Sequence, residues 1–331
     1  MALYHILGIF RIWEKEIVMN YSRNIKTIFR SIFEQSSSFF IKSKLGLCNN
    51  VSDEEYLRQI YRFRMGRDLN LDNPKTLNEK LQWLKLHNRK PEYTTMVDKY
   101  EVKKYVAKLI GEEYIIPTLG VWNNVEDIEL DKLPNQFVLK CTHDSGSIVI
   151  CKDKSKLDFE AAKKKLKKGL KRNLFWYGRE WPYKNVKRRI IAEKYMTDSP
   201  DIDEFTDYKF YCFNGYVDCV LTCIERSTGN PKFYFFDKDW KLLRYNKRGK
   251  EAPADFTLPK PENIEEMFRI ASELSKGIPF LRVDLYNSSG KIYFGELTFF
   301  PDSGWDPNRL PEIDLYFGDL VDLERINNGN K

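Results

Sequence analysis

The sequence predicts an α+β fold on three observations. Strand-like runs predominate after residue 136, few helices interrupt them, and most are joined as hairpins rather than by the helical crossovers a parallel sheet needs. The 331 residues suit one large domain or two to three modest ones. Hydrophobic residues at 42% and charged residues at 31% exclude a globally disordered chain. Lys+Arg exceed Asp+Glu by 55 − 48 = 7, a mild basic excess suited to an anionic ligand or an anionic membrane face.

Taken in order, residues 1–45 mix Phe, Ile, Lys and Arg, as in Ile25–Phe40. They read as a helical extension packed on the domain, or as a basic amphipathic helix in peripheral contact with a membrane. The apolar run Leu3–Trp13 contains Arg11 and falls short of the ~20 apolar residues needed to cross a bilayer. Ser52 with Glu55 resembles a capping box, and Asn73-Pro74-Lys75-Thr76 is a turn before Leu81, Trp83, Leu84 and Leu86. Asp98–Ile110 reads as a helix with Val102, Val106 and Leu109 on one face, Gly111 as its stop, and Lys99, Lys103 and Lys104 as decoration.

Gln136–Lys140 and Ser147–Cys151 read as strands about a small polar loop. Asp158–Lys171 is a helix with Phe159, Ala162, Leu166 and Leu170 inward and a lysine face toward solvent. Arg189–Tyr195 is a strand. Asp207–Phe213 and Tyr216–Ile224 flank Asn214-Gly215, a strong hairpin signal. Asn263–Lys276 is a helix, and Leu281–Tyr286 with Lys291–Phe300 forms a second hairpin about Ser288-Ser289-Gly290. The domains follow as 1–50 (helical extension), 51–135 (N-terminal helical region), 136–325 (main domain) and 326–331 (tail). The six cysteines form no CxxC pair, and the only histidines are His5, His87 and His143. They read as buried thiols in a reducing cytoplasm, not as a zinc site.

The chemistry concentrates in the last hairpin. With a three-residue loop and Gly290 in the left-handed position, Asp284 faces Phe294 and shares a sheet face with Glu296 and Thr298. A four-residue loop separates them. Carboxylates inside apolar strands need a partner or a metal. Arg282 paired with Glu296 is the plain alternative to Mg²⁺ held together with substrate phosphates. Lys140 closes an apolar strand before a Gly/Ser-containing loop able to cradle an anion. Glu193-Lys194 and Lys209 lie in strands too. Each, taken alone, also reads as a surface charge or cross-strand pair.

Their order along the chain adds what none carries alone. The strings NPKTLNEKLQWLK (73–85), VDKYEVKKYV (97–106), FVLKCTHDSGSIVI (137–150), REWPYKNVKRRIIAEKYM (179–196), DYKFYCFNG (207–215) and VDLYNSSGKIYFGELTFFPDSG (283–304) resemble the TupA-like ATP-grasp proteins of bacterial surface-polysaccharide clusters. The resemblance covers roughly residues 52–325 and makes 136–325 the ATP-grasp domain, two α+β lobes clasping a nucleotide. It implies an ATP- and Mg²⁺-dependent ligase that joins a carboxylate to an amine acceptor through an acyl-phosphate, the carboxylate being of uronic-acid type. It implies that Lys99 and Lys140 contact the nucleotide, and that His143, Ser145, Gly146 and Ser147 belong to a flexible phosphate loop. Glu193, Lys194 and Tyr195 become the adenine and ribose hinge. Lys209 and Arg282 become catalytic cations, Asp284, Glu296 and Thr298 metal ligands, and Asp302, Ser303 and Gly304 the substrate side. Thr298 departs from the Asn common at that position, which weakens one ligand. Arg179, Arg188 and Arg189 offer a basic surface to an anionic acceptor.

Two enzymatic alternatives stand beside this reading. Asp201-Ile202-Asp203 spells a metal-dependent glycosyltransferase motif, though among polar loop residues. A kinase of the same fold would use the same phosphate-handling side chains. No nucleic-acid module string occurs.

Overall fold

The computed structural model describes residues 37–196, 206–225, 228–288 and 290–324. The chain divides into two units, Met1–Leu69 and Asn70–Lys331. In the first, α1 (Asp53–Met65) carries three acidic residues in its first turn, where they favour the helix dipole, and ends on Gly66 in the left-handed conformation. Ser52 caps α1 through one bond, from Glu55 N (3.3 Å). The reciprocal capping box forms instead at Thr76 and Glu79, opening α2 (Leu77–His87) of the second unit.

The second unit holds two wholly antiparallel sheets. The smaller comprises β1 (Thr118–Trp122), β2 (Phe137–Cys141), β3 (Ile148–Cys151) and β4 (Ile190–Lys194), in the order β1-β4-β2-β3. It recruits β1 from ahead of residue 136. Alternation along the strands splits its side chains cleanly. Phe137, Leu139, Cys141, Ile190 and Ala192 form an apolar core with Leu166 of α5 (Phe159–Leu170). Register places Val138, Lys140, Ile148, Ile150, Ile191 and Glu193 on the opposite face.

The larger sheet comprises β5 (Asp207–Phe213), β6 (Tyr216–Ile224), β7 (Lys232–Phe236), β8 (Leu242–Leu243), β9 (Leu281–Ser288) and β10 (Lys291–Thr298), in the order β10-β9-β5-β6-β7-β8. Asn214 (φ 50°) and Gly215 (φ 89°) make the tight β5–β6 turn that their sequence foretells. Helix α8 (Ile264–Ser275) lays Ile264, Met267, Ile270, Ala271 and Leu274 into the core with Phe210, Val283 and Leu285.

The β9–β10 hairpin differs from expectation. Ser288 pairs with Lys291, so the connection is one residue tighter than a three-residue loop. Carried on unbroken, that register would set Gly295 opposite Asp284 and turn Glu296 to the far face. A β-bulge between Phe294 and Glu296 absorbs one residue and brings Glu296 directly opposite Asp284. Gly295 permits it: a Cβ there would lie 2.9 Å from the Asp284 carbonyl oxygen and 3.0 Å from the Tyr286 ring.

All six cysteines are buried and unbridged. Among the described residues, no helix is long and apolar enough to cross a membrane.

Candidate active site

Three adjacent strands of the larger sheet assemble the first half of the site. Lys209 on β5 lies opposite Asp284 on β9, which lies opposite Glu296 on β10. The next row on the same face is Tyr211, Arg282 and Thr298. Period-two alternation therefore puts every one of these side chains on one surface, with the α8 core beneath.

Asp284 is 2% exposed and receives Lys209 Nζ at 2.6 Å and Arg282 Nε and Nη2 at 2.7 and 2.8 Å. The fork of Arg282 also donates to Glu296 Oε1 and Thr298 Oγ1, both at 3.2 Å. Thr298 in turn donates to Glu296 Oε1 at 3.1 Å. Arg282 thus pairs with Glu296, as the plain alternative has it, and also braces Asp284, a contact the sequence did not suggest. The Glu296 side chain keeps 42% of its surface open although protein atoms crowd it. That crowding alone would raise its pKa. The charges of Lys99, then Arg282 and Lys209, outweigh it and hold the carboxyl at about 2.

The smaller sheet supplies the second half. Glu193 is 5% exposed and holds Lys103 Nζ at 2.6 Å and Lys140 Nζ at 2.5 Å, one per carboxylate oxygen. Burial pushes its pKa up, and the two ammonium groups more than reverse this. Lys99 precedes α4 (Glu101–Ile110) and donates to the Asp144 carbonyl at 2.8 Å. Burial lowers its pKa, against the pull of Glu296. That mutual influence ties the lysines to the carboxylate row. Ile148 and Ile150, 40% and 54% exposed, share the Lys140 face and offer an apolar floor beside it.

The remaining expected residues fall unevenly. His143 is buried, its Nε2 3.2 Å from the Gly169 carbonyl, and Ser147 donates to Asp144 at 2.5 Å, so both sit inside the loop's own packing. Only Ser145 and Gly146 are exposed at its tip. Glu193 is engaged by two lysines rather than left open for a ribose hydroxyl. The Lys194 N–H is spent on the Pro117 carbonyl at 3.0 Å, and Tyr195 is half-buried beyond it. Asp302 is exposed, whereas Ser303 is half-buried and Gly304 buried. Asp201 and Asp203 lie outside the described residues.

Two of the three arginines expected at a basic surface are buried. Arg179 stacks on Phe175 and Trp176, and Arg189 pairs with Asp98 and Glu101. Only Arg188 is exposed. The α5 lysines line a hollow of about 420 Å³ that shares no residue with the carboxylate row.

Sequence reasoning passed over Lys103, although it stands four residues after Lys99 in a helical stretch. It also passed over Glu180, which carries no periodic signal.

The donor set fits a divalent cation held jointly with phosphate oxygens. Two strand carboxylates stand face to face, one of them ionised and open. Among the described residues no group of three or more His, Cys, Asp or Glu is placed to hold a metal ion.

No curated protein matches this chain. Solved structures with a similar chain path include D-alanine–D-alanine ligase from Bacillus anthracis, at 15% identity over 78% of this chain and 73% of that one, with a TM-score of 0.39. The same enzyme complexed with ATP shows 16% identity over 71% and 69%, TM-score 0.40. The ATP-grasp ligase PsnB, complexed with a phosphomimetic variant of its minimal precursor, Mg and ADP, shows 12% identity over 76% and 66%, TM-score 0.39. The pattern of the family described as TupA-like ATPgrasp matches residues 79–322, a span that takes in both sheets and every side chain of the carboxylate row. The chain belongs to the TupA-like ATP-grasp family of ligases.

Proposed function

We propose that this protein joins a carboxylate to an amine at the expense of ATP, through an acyl-phosphate, and that the carboxylate belongs to a uronic-acid-type sugar of a bacterial surface polysaccharide. One observation supports the chemical half of this reading: Lys99, whose Nζ donates to the Asp144 carbonyl at 2.8 Å in the loop after Lys140, also lies within electrostatic reach of Glu296 and so links that loop to the carboxylate row. The sugar half rests on the family resemblance.

Lys140 and Lys99 would meet the nucleotide phosphates, and the adenine ring would lie over Ile148 and Ile150. Asp284, Glu296 and the Thr298 hydroxyl would hold Mg²⁺ with phosphate oxygens. The bound ion would neutralise charge on the transferring phosphoryl group. Arg282 and Lys209 hold Asp284 in place by hydrogen bonds, and with Lys99 their charges favour the ionised form of Glu296. They also present cationic N–H groups where phosphoryl charge builds up. The exposed tip Ser145-Gly146 lies where a loop could shield the acyl-phosphate from water.

The test is thermal stability with Mg·ATP and, separately, with Mg·UDP-sugars, for wild type and Lys140→Ala. A ligand that binds only the folded state at 100 Kd adds about 2.7 kcal/mol. Stabilisation of wild type by Mg·ATP, lost in Lys140→Ala, with no response to UDP-sugars, is expected. ADP release over a panel of uronic acids and amines then identifies the substrates. Stabilisation by UDP-sugars alone moves the glycosyltransferase reading first, with Asp201 and Asp203 as its residues. A stable phosphorylated product formed without an amine moves the kinase reading first.

A further inference from the structure

Beside the carboxylate row lies a second ionisable cluster that the phosphoryl chemistry does not use. Lys85 on α2 is fully buried, its Nζ donating to the Ser303 carbonyl at 2.7 Å and to Gln82 Oε1 at 2.9 Å. The ammonium lies over the Trp305 ring, 4.4 Å from its centroid. Ser303 Oγ donates to Glu180 Oε1, and Gln82 Nε2 donates to the Gly304 carbonyl at 2.8 Å. Segments far apart in sequence therefore converge on the Glu180 carboxylate.

The backbone is forced to meet it. Asp302, Ser303 and Gly304 all have positive φ, at 50°, 54° and 67°. For the two non-glycine residues this conformation is strained. Gly178 keeps the approach open, since a Cβ there would lie 2.8 Å from Ser303 Oγ and 2.9 Å from Glu180 Oε1. Strain of this kind, held by a buried lysine and glutamine, marks a position that must be aimed.

Tyr183 feels the charge of the cluster and of the carboxylate row. Its phenol is pushed well above the usual range, by burial first and then by the charges of both Glu180 and Glu296. Ser303, which donates to Glu180, follows Thr298 of the carboxylate row by only five residues (303 − 298), so the Glu180 cluster stands at the end of that row. The groups acting on Glu180 are Lys85 from α2, Ser303 and Asp302 from the segment after β10, and Tyr183 from its own segment.

We propose that Glu180 is the general base for the amine acceptor, with exposed Asp302 helping to draw in the ammonium. The inference rests on the amide-forming reading above. The ammonium gives one proton to the Glu180 carboxylate, which frees the nitrogen lone pair. The N–C bond forms at the acyl carbon. The tetrahedral adduct then collapses, the C–O bond breaks with its electron pair on phosphate, and the second N–H proton leaves with it as hydrogen phosphate. Burial raises the Glu180 pKa against the pull of Lys85, which brings it toward the range useful to a base at neutral pH. Lys85 is itself lowered by burial, to about 7, so it offsets the carboxylate without a fixed contact to it.

The experiment compares two nucleophiles on wild type, Glu180→Gln and Ser303→Ala. Full-length protein with Mg·ATP and a uronic-acid panel is offered hydroxylamine, which is largely unprotonated at pH 7 and needs no base, or glycine and methylamine, which are protonated. ADP and either hydroxamate or amide are measured from pH 6 to 10, and Mg·ATP thermal stabilisation checks folding. In Glu180→Gln the amide-to-hydroxamate ratio at pH 7 is expected to fall by about 10²-fold and to recover at high pH. Ser303→Ala, which keeps the carboxylate and loses its aim, should fall less and keep the wild-type pH profile. An unchanged ratio, or a parallel loss of both products, overturns the role of Glu180. If every protein binds Mg·ATP yet none forms ADP with any acid and either nucleophile, the ligase reading itself fails and the proposal falls with it.

Discussion

Glu193 is the residue on which the nucleotide half of the site turns. Its two oxygens hold Lys103 and Lys140 at 2.6 and 2.5 Å, so Lys140 must leave an ion pair to meet a phosphate. Lys103 makes that exchange tolerable, because it leaves the buried carboxylate with one partner when Lys140 moves. Lys103→Met should therefore tighten the Glu193 grip on Lys140 and weaken Mg·ATP binding about tenfold, or about 1.4 kcal/mol, by calorimetry. An unchanged Kd would show that Lys140 stays with Glu193 in the complex. Lys140, Lys209 and Asp284 stood out in the sequence because each lies in or beside an apolar run that makes a charge conspicuous, whereas Lys99 was singled out only by the family resemblance. Lys85 and Glu180 were not, since they meet through Ser303, which is 218 residues from one and 123 from the other. Local pattern holds no trace of a contact made at that range.

At the scale of the element, the β9–β10 hairpin is decided by one glycine. Alternation predicts that Asp284 and Glu296 share a face only if the register between them is known, and the loop length alone gave the wrong one. The signal was present: a glycine inside a strand often marks a bulge, and Gly295 stands immediately before Glu296. Gly295→Ala should cost about 1–3 kcal/mol through overpacking against Asp284 and Tyr286, read as a lower urea midpoint. It should also reduce stabilisation by Mg·ATP, because relief of the clash shifts the carboxylate row. Lower stability with an undiminished Mg·ATP response would mean that Glu296 keeps its place without the bulge. The Asn214-Gly215 hairpin was legible outright, since its turn chemistry admits few alternatives.

Across the whole molecule, two sheets turn apolar faces to separate cores and carry charged rows, Lys140 with Glu193 and Lys209 with Asp284 and Glu296, on their opposite faces. The α+β class and the helices behind each sheet were readable from periodicity. How the sheets meet was not, because that depends on connections whose residues carry no period. The arrangement has an acid signature. Glu296 is held at about 2 against an ordinary value of 4.5, so its folded-state pKa is depressed. Its contribution to stability is complete above about pH 4.5 and is lost as the pH falls toward 2. Glu296→Gln should flatten the acid side of the Tm–pH profile. A slope equal to that of wild type would show that Lys99 and Arg282 do not act on this carboxylate.

The bulge also sets the rules for lengthening this protein. The hairpin tip at Ser288 and Lys291 lies on the far side of Gly295 from the Asp284–Glu296 pair. Residues added equally to both arms would extend the ribbon and leave the charged pair in phase. An odd residue added to one arm would need a second bulge, or would rotate β10 so that Glu296 faced the apolar side and Leu297 the cleft. The tip is thus a graft site for paired insertions, such as an epitope or a fluorophore-binding tag, while the strand below it counts in odd and even steps.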